Sequence, residues 1–130
     1  MWIRKALFLH DCESAFKRAL NMLSDAEFNF NGNRYNTSIN RSYYAVFYAT
    51  KDLLFKKGIE SKKHSGNIQN FGKEYVAKGD FDPKIAKILS QLEVDRINMD
   101  YDTDFNASKF RAKQDLDNAN LFISECKKFL

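Results

Sequence analysis

The chain contains 130 residues, with 44% hydrophobic and 15% aromatic residues and a formal net charge of +4. A chain of this length and composition can bury a core without a metal or a disulfide, so we expect residues 1–130 to form a single domain. Charged residues interrupt every long apolar stretch, and the first residues lack the apolar segment of a signal peptide. We therefore expect a cytoplasmic protein that does not enter a membrane.

The sequence offers no recognisable site for a metal or a cofactor, and we expect neither. Its two cysteines, Cys12 and Cys126, form no CxxC pair and have no histidine cluster beside them, which argues against a zinc centre or a redox motif. We expect both to be free thiols, because disulfides are rare in the cytosol. Neither a glycine-rich phosphate loop nor a Ser/His/Asp arrangement can be assembled.

One proline and five glycines are too few turn-forming residues for an all-β fold, and they favour helices. Apolar residues at three- and four-residue spacing predict a first helix from about His10 to Phe30, which Asn31-Gly32-Asn33 ends. A second helix is predicted from Arg34 to Lys57. Its apolar residues lie on both sides, which is typical of a central helix.

The second half of the chain predicts three more helices. A polar loop over residues 58–65 precedes a short third helix, which Ile68 to Val76 mark and Gly79 closes. Asp82-Pro83 combines an N-cap carboxylate with a proline at the first helical position and predicts a fourth helix through Met99. A fifth helix follows a cap at Ser108 or Asn106. The expected fold is all-α, an antiparallel four- to five-helix bundle with up-and-down connections.

Arg96 is the most unusual residue, because it falls on the apolar stripe of the fourth helix beside Leu92 and Met99. An unpaired guanidinium is costly to bury, so Arg96 must either have a partner or line a cleft. Asp100, four residues later on the same helix face, is the nearest candidate partner.

Arg41 raises the same question on the second helix, where it precedes Tyr44 and Tyr48 at helical spacing. We predict a structural role in which its guanidinium stacks on these rings or pairs with Asp52. His64 follows two lysines in the polar loop, a position typical of a solvated or helix-capping residue, and Ser65 would cap the third helix equally well.

Charge is unevenly distributed along the chain. A basic segment occupies residues 51–64, and an acidic segment surrounds Arg96 at residues 93–104. Such a distribution permits self-association or nucleic-acid binding without requiring either.

Two sequence segments carry a family resemblance: Asn40 to Ala49 (NRSYYAVFYA) and Arg96 to Tyr101 (RINMDY). Between and after them lie Leu53-Leu54, Gly58, the Lys63-His64-Ser65-Gly66 loop and the helix around residues 119–123. In this order they resemble the HEPN domains (higher eukaryotes and prokaryotes nucleotide-binding), in particular small stand-alone prokaryotic members. The resemblance implies a bundle of four or five helices, commonly a homodimer and often paired with a minimal nucleotidyltransferase in toxin-antitoxin systems.

The resemblance also implies a chemistry. Active members are metal-independent endoribonucleases, in which an arginine is followed after four to six residues by a histidine and a dimer brings two such motifs over one RNA strand. Arg96 matches the arginine, but Tyr101 occupies the position of the histidine, and no histidine follows His64. With a reference pKa of about 10, tyrosine does not exchange protons near neutral pH as histidine does.

Three functions therefore stay open. The preferred hypothesis is a non-catalytic module that binds a nucleotide, RNA or a partner nucleotidyltransferase through Arg96, Asn98, Asp100 and Tyr101. The alternative is an active ribonuclease with Arg96, Tyr101 and His64 as candidate catalytic residues, and the third is a purely structural dimer partner. The missing histidine favours the binding module.

Overall fold

The computed structural model describes the backbone of residues 2–130 and the side chains of residues 14–130. Five α-helices follow one another along the chain: α1 (Trp2–Asn31), α2 (Tyr35–Lys56), α3 (His64–Phe71), α4 (Pro83–Tyr101) and α5 (Lys109–Cys126). The backbone of residues 2–130 contains no strand. The helices form the antiparallel bundle that the sequence predicts.

Local sequence signals set most of the helix ends. Asn33 follows α1 with a positive φ of 62°, in agreement with the predicted stop. The side chain of Asp82 caps α4 by accepting a hydrogen bond from the backbone N–H of Lys84 at 2.8 Å. Ser108 caps α5 by accepting one from the backbone N–H of Arg111 at 3.1 Å. Of the two predicted caps for α5, Ser108 is therefore the correct one.

Two helix starts differ from the prediction. The first helix begins at Trp2 instead of His10. The third begins at His64, inside the predicted loop, after an N-cap residue, Lys63, whose side chain makes no cap hydrogen bond. The polar sequence there predicts a loop, but the side chain of His64 packs on α2, and this long-range contact favours the helix. After Phe71 the chain continues as a wider π-helical turn over Gly72–Val76.

The second helix lies at the centre of the bundle and packs against α1, α3, α4 and α5. This position accounts for its two apolar faces, since each is covered by other helices of the same chain. The largest fully buried side chains include Tyr43 and Leu53 of α2, with Leu89 and Leu92 of α4 packed in the same core. Side chains of α4 are thereby held against the aromatic residues of α2.

Arg41 does not have the partner that the sequence suggested. Its Nε donates a hydrogen bond to Oδ2 of Asp25 in α1 at 2.8 Å, and 37% of its side chain is exposed. Asp52 lies eleven residues further along the same helix, about 16 Å away at a rise of about 1.5 Å per residue. The predicted pair with Asp52 was therefore wrong, and Arg41 joins α2 to α1 at the surface.

Cys126 is a buried free thiol, as predicted, and burial raises its pKa. The side chains of His10 and Cys12 lie outside the described residues. Among the residues that the structure describes, no helix has the combination of length and apolar character that a membrane crossing needs.

Candidate functional site

Arg96 lies on α4 against the aromatic face of α2, with only 15% of its side chain exposed. Its Nη1 donates a hydrogen bond to Oδ2 of Asp100 at 2.9 Å, which confirms the predicted ion pair. Its Cζ lies 4.9 Å from the centroid of the Tyr43 ring, and its Nε has no hydrogen-bond partner among the described residues. The cation is thus held between one carboxylate and one aromatic ring.

Tyr43 connects Arg96 to His64. The Tyr43 side chain is fully buried, and its hydroxyl lies 2.9 Å from Nδ1 of His64 at the start of α3. The imidazole stacks on Phe47 with ring centroids 4.3 Å apart and meets Tyr44 edge-on. His64 is therefore neither a solvated loop residue nor the cap of α3, because it packs on α2 and Lys63 holds the N-cap position. We call Arg96, Tyr43 and His64 the Arg96 cluster.

The electrostatics of the Arg96 cluster keep two of its groups neutral. Burial, together with the positive charges of Arg96 and Lys51, lowers the pKa of His64, although Glu93 opposes this shift. Burial raises the pKa of Tyr43 to about 12, even though the charge of Arg96 favours the phenolate. Near neutral pH the cluster therefore contains one fixed cation, an uncharged imidazole and a protonated phenol. These groups suit contact with a phosphate and exchange of a proton.

The other residues predicted for this site do not join the cluster. Asn98 and Tyr101 follow Arg96 by two and five residues, which rotates them by about 200° and 140° around the helix. Tyr101 is 82% exposed at the end of α4. Only Asp100, one turn after Arg96, contacts it directly. Within one chain Tyr101 therefore does not contact Arg96, whereas His64 is connected to Arg96 through Tyr43.

The sequence did not reveal a second charged cluster, which connects α4 to α5. Nε and Nη2 of Arg111 each donate a hydrogen bond to the buried carboxylate of Asp95, both at 2.8 Å. Asp115 is also buried, and burial together with its hydrogen bond to Asp95 raises its pKa to about 8. The arginine keeps Asp95 ionised, so the two carboxyl groups share one proton. In the sequence, the one sign of this cluster is the spacing of Arg111 and Asp115, which are one helical turn apart.

Aromatic and aliphatic side chains also form an outward stripe on α4. Val94, Ile97 and Tyr101, at three- and four-residue spacing, are 55%, 39% and 82% exposed. Unlike the core residues, these three side chains are only partly covered by the described part of the chain.

The fold and these segments match a known family of helical proteins. The model of the HEPN domain family matches residues 12–129. The chain therefore belongs to the HEPN family, in agreement with the resemblance carried by the second and fourth helices.

Relatives with curated names cover most of the chain. It is 29% identical over 128 residues to the Methanocaldococcus jannaschii protein named "Putative toxin MJ0142", covering 98% of this chain and 87% of that protein. It is 32% identical over 108 residues to "Putative toxin MJ0605" of the same organism, with coverage of 83% and 80%. The crystal structure of TT1696 from Thermus thermophilus superposes with a TM-score of 0.77 at 17% identity, over 92% of this chain and 98% of that one. At that identity the last likeness concerns the fold alone.

Proposed function

We propose that this protein has a HEPN toxin-like role and binds RNA at the Arg96 cluster. The observation that carries the proposal is the position of Arg96, whose Cζ lies 4.9 Å above the Tyr43 ring while the Tyr43 hydroxyl lies 2.9 Å from His64. Family membership and the names of the two archaeal relatives support the toxin-like role. Because RNA is the expected ligand, we place the protein in the cytoplasm.

The ion pair of Arg96 suggests how a phosphate would enter. Asp100 occupies only Nη1, and 43% of its side chain is exposed. A phosphate can therefore take the place of this carboxylate with little rearrangement, and it can form the two parallel hydrogen bonds that a guanidinium favours. Lys51 and His64 add a cation and a hydrogen-bonding ring on the same side of α2.

A second candidate function is RNA cleavage, and the position of His64 favours it. When Nδ1 of His64 carries the ring proton, it donates to the Tyr43 hydroxyl and leaves Nε2 free as a base. Such a base can take the proton of a ribose 2′-hydroxyl while Arg96 holds the adjacent phosphate. The 2′-oxygen then attacks the phosphorus, the bond to the 5′-oxygen breaks, and the 5′-oxygen takes up a proton from the imidazolium or from water, which leaves a 2′,3′-cyclic phosphate. Because the pKa of His64 is lowered, the ring is in the required neutral form near neutral pH.

We further propose a homodimer and a pairing with a minimal nucleotidyltransferase. The exposed stripe of Val94, Ile97 and Tyr101 supports a dimer contact along α4. The second helix is covered by other helices of its own chain. Light scattering on wild type and Val94→Lys at tens of micromolar tests the dimer, since a monomeric wild type would contradict it. Co-purification with the nucleotidyltransferase of a neighbouring reading frame tests the pairing.

RNA binding and cleavage should be scored separately on one labelled single-stranded RNA. We expect Arg96→Ala to weaken binding at least tenfold, whereas Arg96→Lys, which keeps the charge, should retain part of it. Arg111→Lys is the matched control for Arg96→Lys, because Arg111 also pairs with a carboxylate of α4, that of Asp95, but lies outside the Arg96 cluster. Equal binding by wild type and Arg96→Ala would contradict the proposal.

Cleavage distinguishes the two candidate functions. If the protein is a ribonuclease, His64→Gln should abolish turnover and leave binding within a few-fold, because acid-base catalysis contributes about 10² to 10⁴ in rate. Wild-type cleavage that survives His64→Gln would exclude the proposed base. Absence of wild-type cleavage would leave the binding function alone. Tyr101→His recreates the family motif, so a gain of cleavage in this variant would support a ribonuclease site that lacks its usual histidine.

A further inference from the structure

A groove of about 460 Å³ separates α1 from α2, outside the Arg96 cluster. One wall is a face of α1 formed by Ser14, Lys17, Arg18 and Asn21, and the other is a face of α2 formed by Tyr48, Lys51 and Phe55. The small side chain of Ala15 lines the groove between them. The volume lies within the range of about 300 to 1,000 Å³ that small ligands occupy.

The groove has an excess of positive charge. Among the lining residues whose side chains are described, three are cations, Lys17, Arg18 and Lys51, and one is a carboxylate, Glu60. None of the three cations has an ion-pair partner among the residues whose side chains are described. Such a concentration of unpaired cations in a concave surface attracts anions.

Aromatic rings lie beside these cations. The Arg18 guanidinium is 5.1 Å from the centroid of Tyr48, and its Nη1 lies 3.5 Å from the Tyr48 hydroxyl. Nζ of Lys51 is 5.7 Å from the centroids of both Phe47 and Phe55. Tyr48 and Phe55 are partly exposed, whereas Phe47 is buried. Cations that alternate with partly exposed rings are the arrangement by which proteins hold single-stranded nucleic acids, with phosphates on the cations and bases on the rings.

The groove and the Arg96 cluster share one aromatic wall. Phe47 stacks on His64 of the cluster and meets Tyr48 of the groove edge-on, with ring centroids 5.5 Å apart. Lys51 lines the groove and also contributes to the lowered pKa of His64. A strand that follows α2 would therefore pass from one surface to the other.

We infer that the groove between α1 and α2 is a nucleotide-binding subsite, which takes the phosphate and base of an RNA strand next to the nucleotide at the Arg96 cluster. The inference extends the proposed RNA-binding function to a separate surface. A free mononucleotide has the same chemistry, so the test compares two probes: a labelled single-stranded RNA of about ten nucleotides and uridine monophosphate.

The decisive variant is the double substitution Lys17→Gln with Arg18→Gln, because both side chains are exposed and lie on α1, away from Arg96. Affinity for RNA falls as salt rises, and each lost contact should make this dependence shallower by about 0.7 in the slope of log affinity against log salt. Near 0.1 M salt this corresponds to about fivefold weaker RNA binding for each cation removed. We therefore expect about 25-fold weaker RNA binding. The control is Lys84→Gln with Lys87→Gln, which removes the same charge from exposed positions of α4 outside the groove.

A second variant tests the aromatic wall. Phe55→Leu keeps the apolar bulk but removes the stacking face, so RNA binding should weaken by about fivefold or more while binding of tripolyphosphate stays unchanged. Melting curves check that each variant is folded. If uridine monophosphate responds to the variants as strongly as RNA does, the subsite takes free nucleotides as well as strands.

Equal RNA binding by the groove variant and its control would overturn the inference, and so would a wild type that binds neither probe. If the groove variant binds RNA as its control does but Arg96→Ala still weakens RNA binding, the subsite is excluded and the proposed function stands. Conversely, loss of binding in the groove variant with no effect of Arg96→Ala would support the subsite and contradict the Arg96 cluster.

Discussion

The hydroxyl of Tyr43 lies 2.9 Å from Nδ1 of His64, although the two residues are 21 positions apart in the sequence. This contact places an imidazole near Arg96, whose charge helps to lower the pKa of His64. The family pattern expects a histidine on the helix of the arginine. In this chain the corresponding position holds an exposed tyrosine, and the imidazole that the described residues place near Arg96 is that of His64 at the start of α3.

Because its pKa is lowered in the folded protein, His64 should make the folded state less stable in acid. The unfolded chain takes up a proton on this histidine below about pH 6.5, while the folded chain takes it up only at lower pH. Stability therefore falls as the pH drops through this range, and His64→Gln should remove that part of the loss. Denaturant unfolding of both proteins between about pH 5 and 8 measures it. A stability difference independent of pH would contradict the assignment.

The Asp95 and Asp115 pair predicts an opposite pH dependence. The folded chain keeps the proton of Asp115 up to about pH 8, whereas the unfolded chain releases it near the ordinary carboxyl pKa. Stability therefore falls as the pH rises through this interval. Asp115→Asn, which mimics the protonated form, should stabilise the protein by more than about 1 kcal/mol above pH 8.

The control for Asp115→Asn is Asp117→Asn, two residues away and half exposed in an ion pair with Lys113. It should change the free energy of unfolding by less than about 1 kcal/mol at any pH. Equal effects of the two substitutions at alkaline pH would show that Asp115 does not retain its proton.

Arg41 should matter less for stability than a buried arginine would. Its pair with Asp25 is partly exposed at both ends, with exposed fractions of 37% and 49%. Pairs of this kind contribute about 0.2 to 1 kcal/mol, so Arg41→Ala should lower the melting temperature by only a few degrees. Asp25→Asn should have a similar effect, and the double variant should show coupling of the same size. A loss of several kcal/mol would mean that Arg41 supports the core.

The sequence predicts the local features of this fold well. The cap at Asp82, the turn after Asn31 and the pair of Arg96 with Asp100 each depend on residues within one helical turn of one another, and all three are present. Both partners of each interaction lie in one short segment, so these features can be predicted without knowing how the helices pack.

The candidate site is harder to predict, because packing between distant segments creates it. His64 reads as a solvated residue until the aromatic face of α2 is placed beside it. Arg111 reaches Asp95 from another helix. Tyr101 has the spacing from Arg96 that the family motif has, and at this spacing the helix rotates it about 140° away, so the two side chains do not meet within one chain and a role for Tyr101 stays a prediction.

The most direct test of RNA binding at the Arg96 cluster is the titration of His64, followed by NMR of its imidazole protons. The chain has only two histidines, and the resonance that disappears in His64→Gln identifies the one in the cluster. A phosphate beside Arg96 offsets the positive charge that lowers the pKa of His64, so saturation with single-stranded RNA should raise this pKa. Arg96→Gln should raise it without RNA and remove most of the response to RNA. A pKa of His64 that stays unchanged when the protein is saturated with RNA would contradict the account.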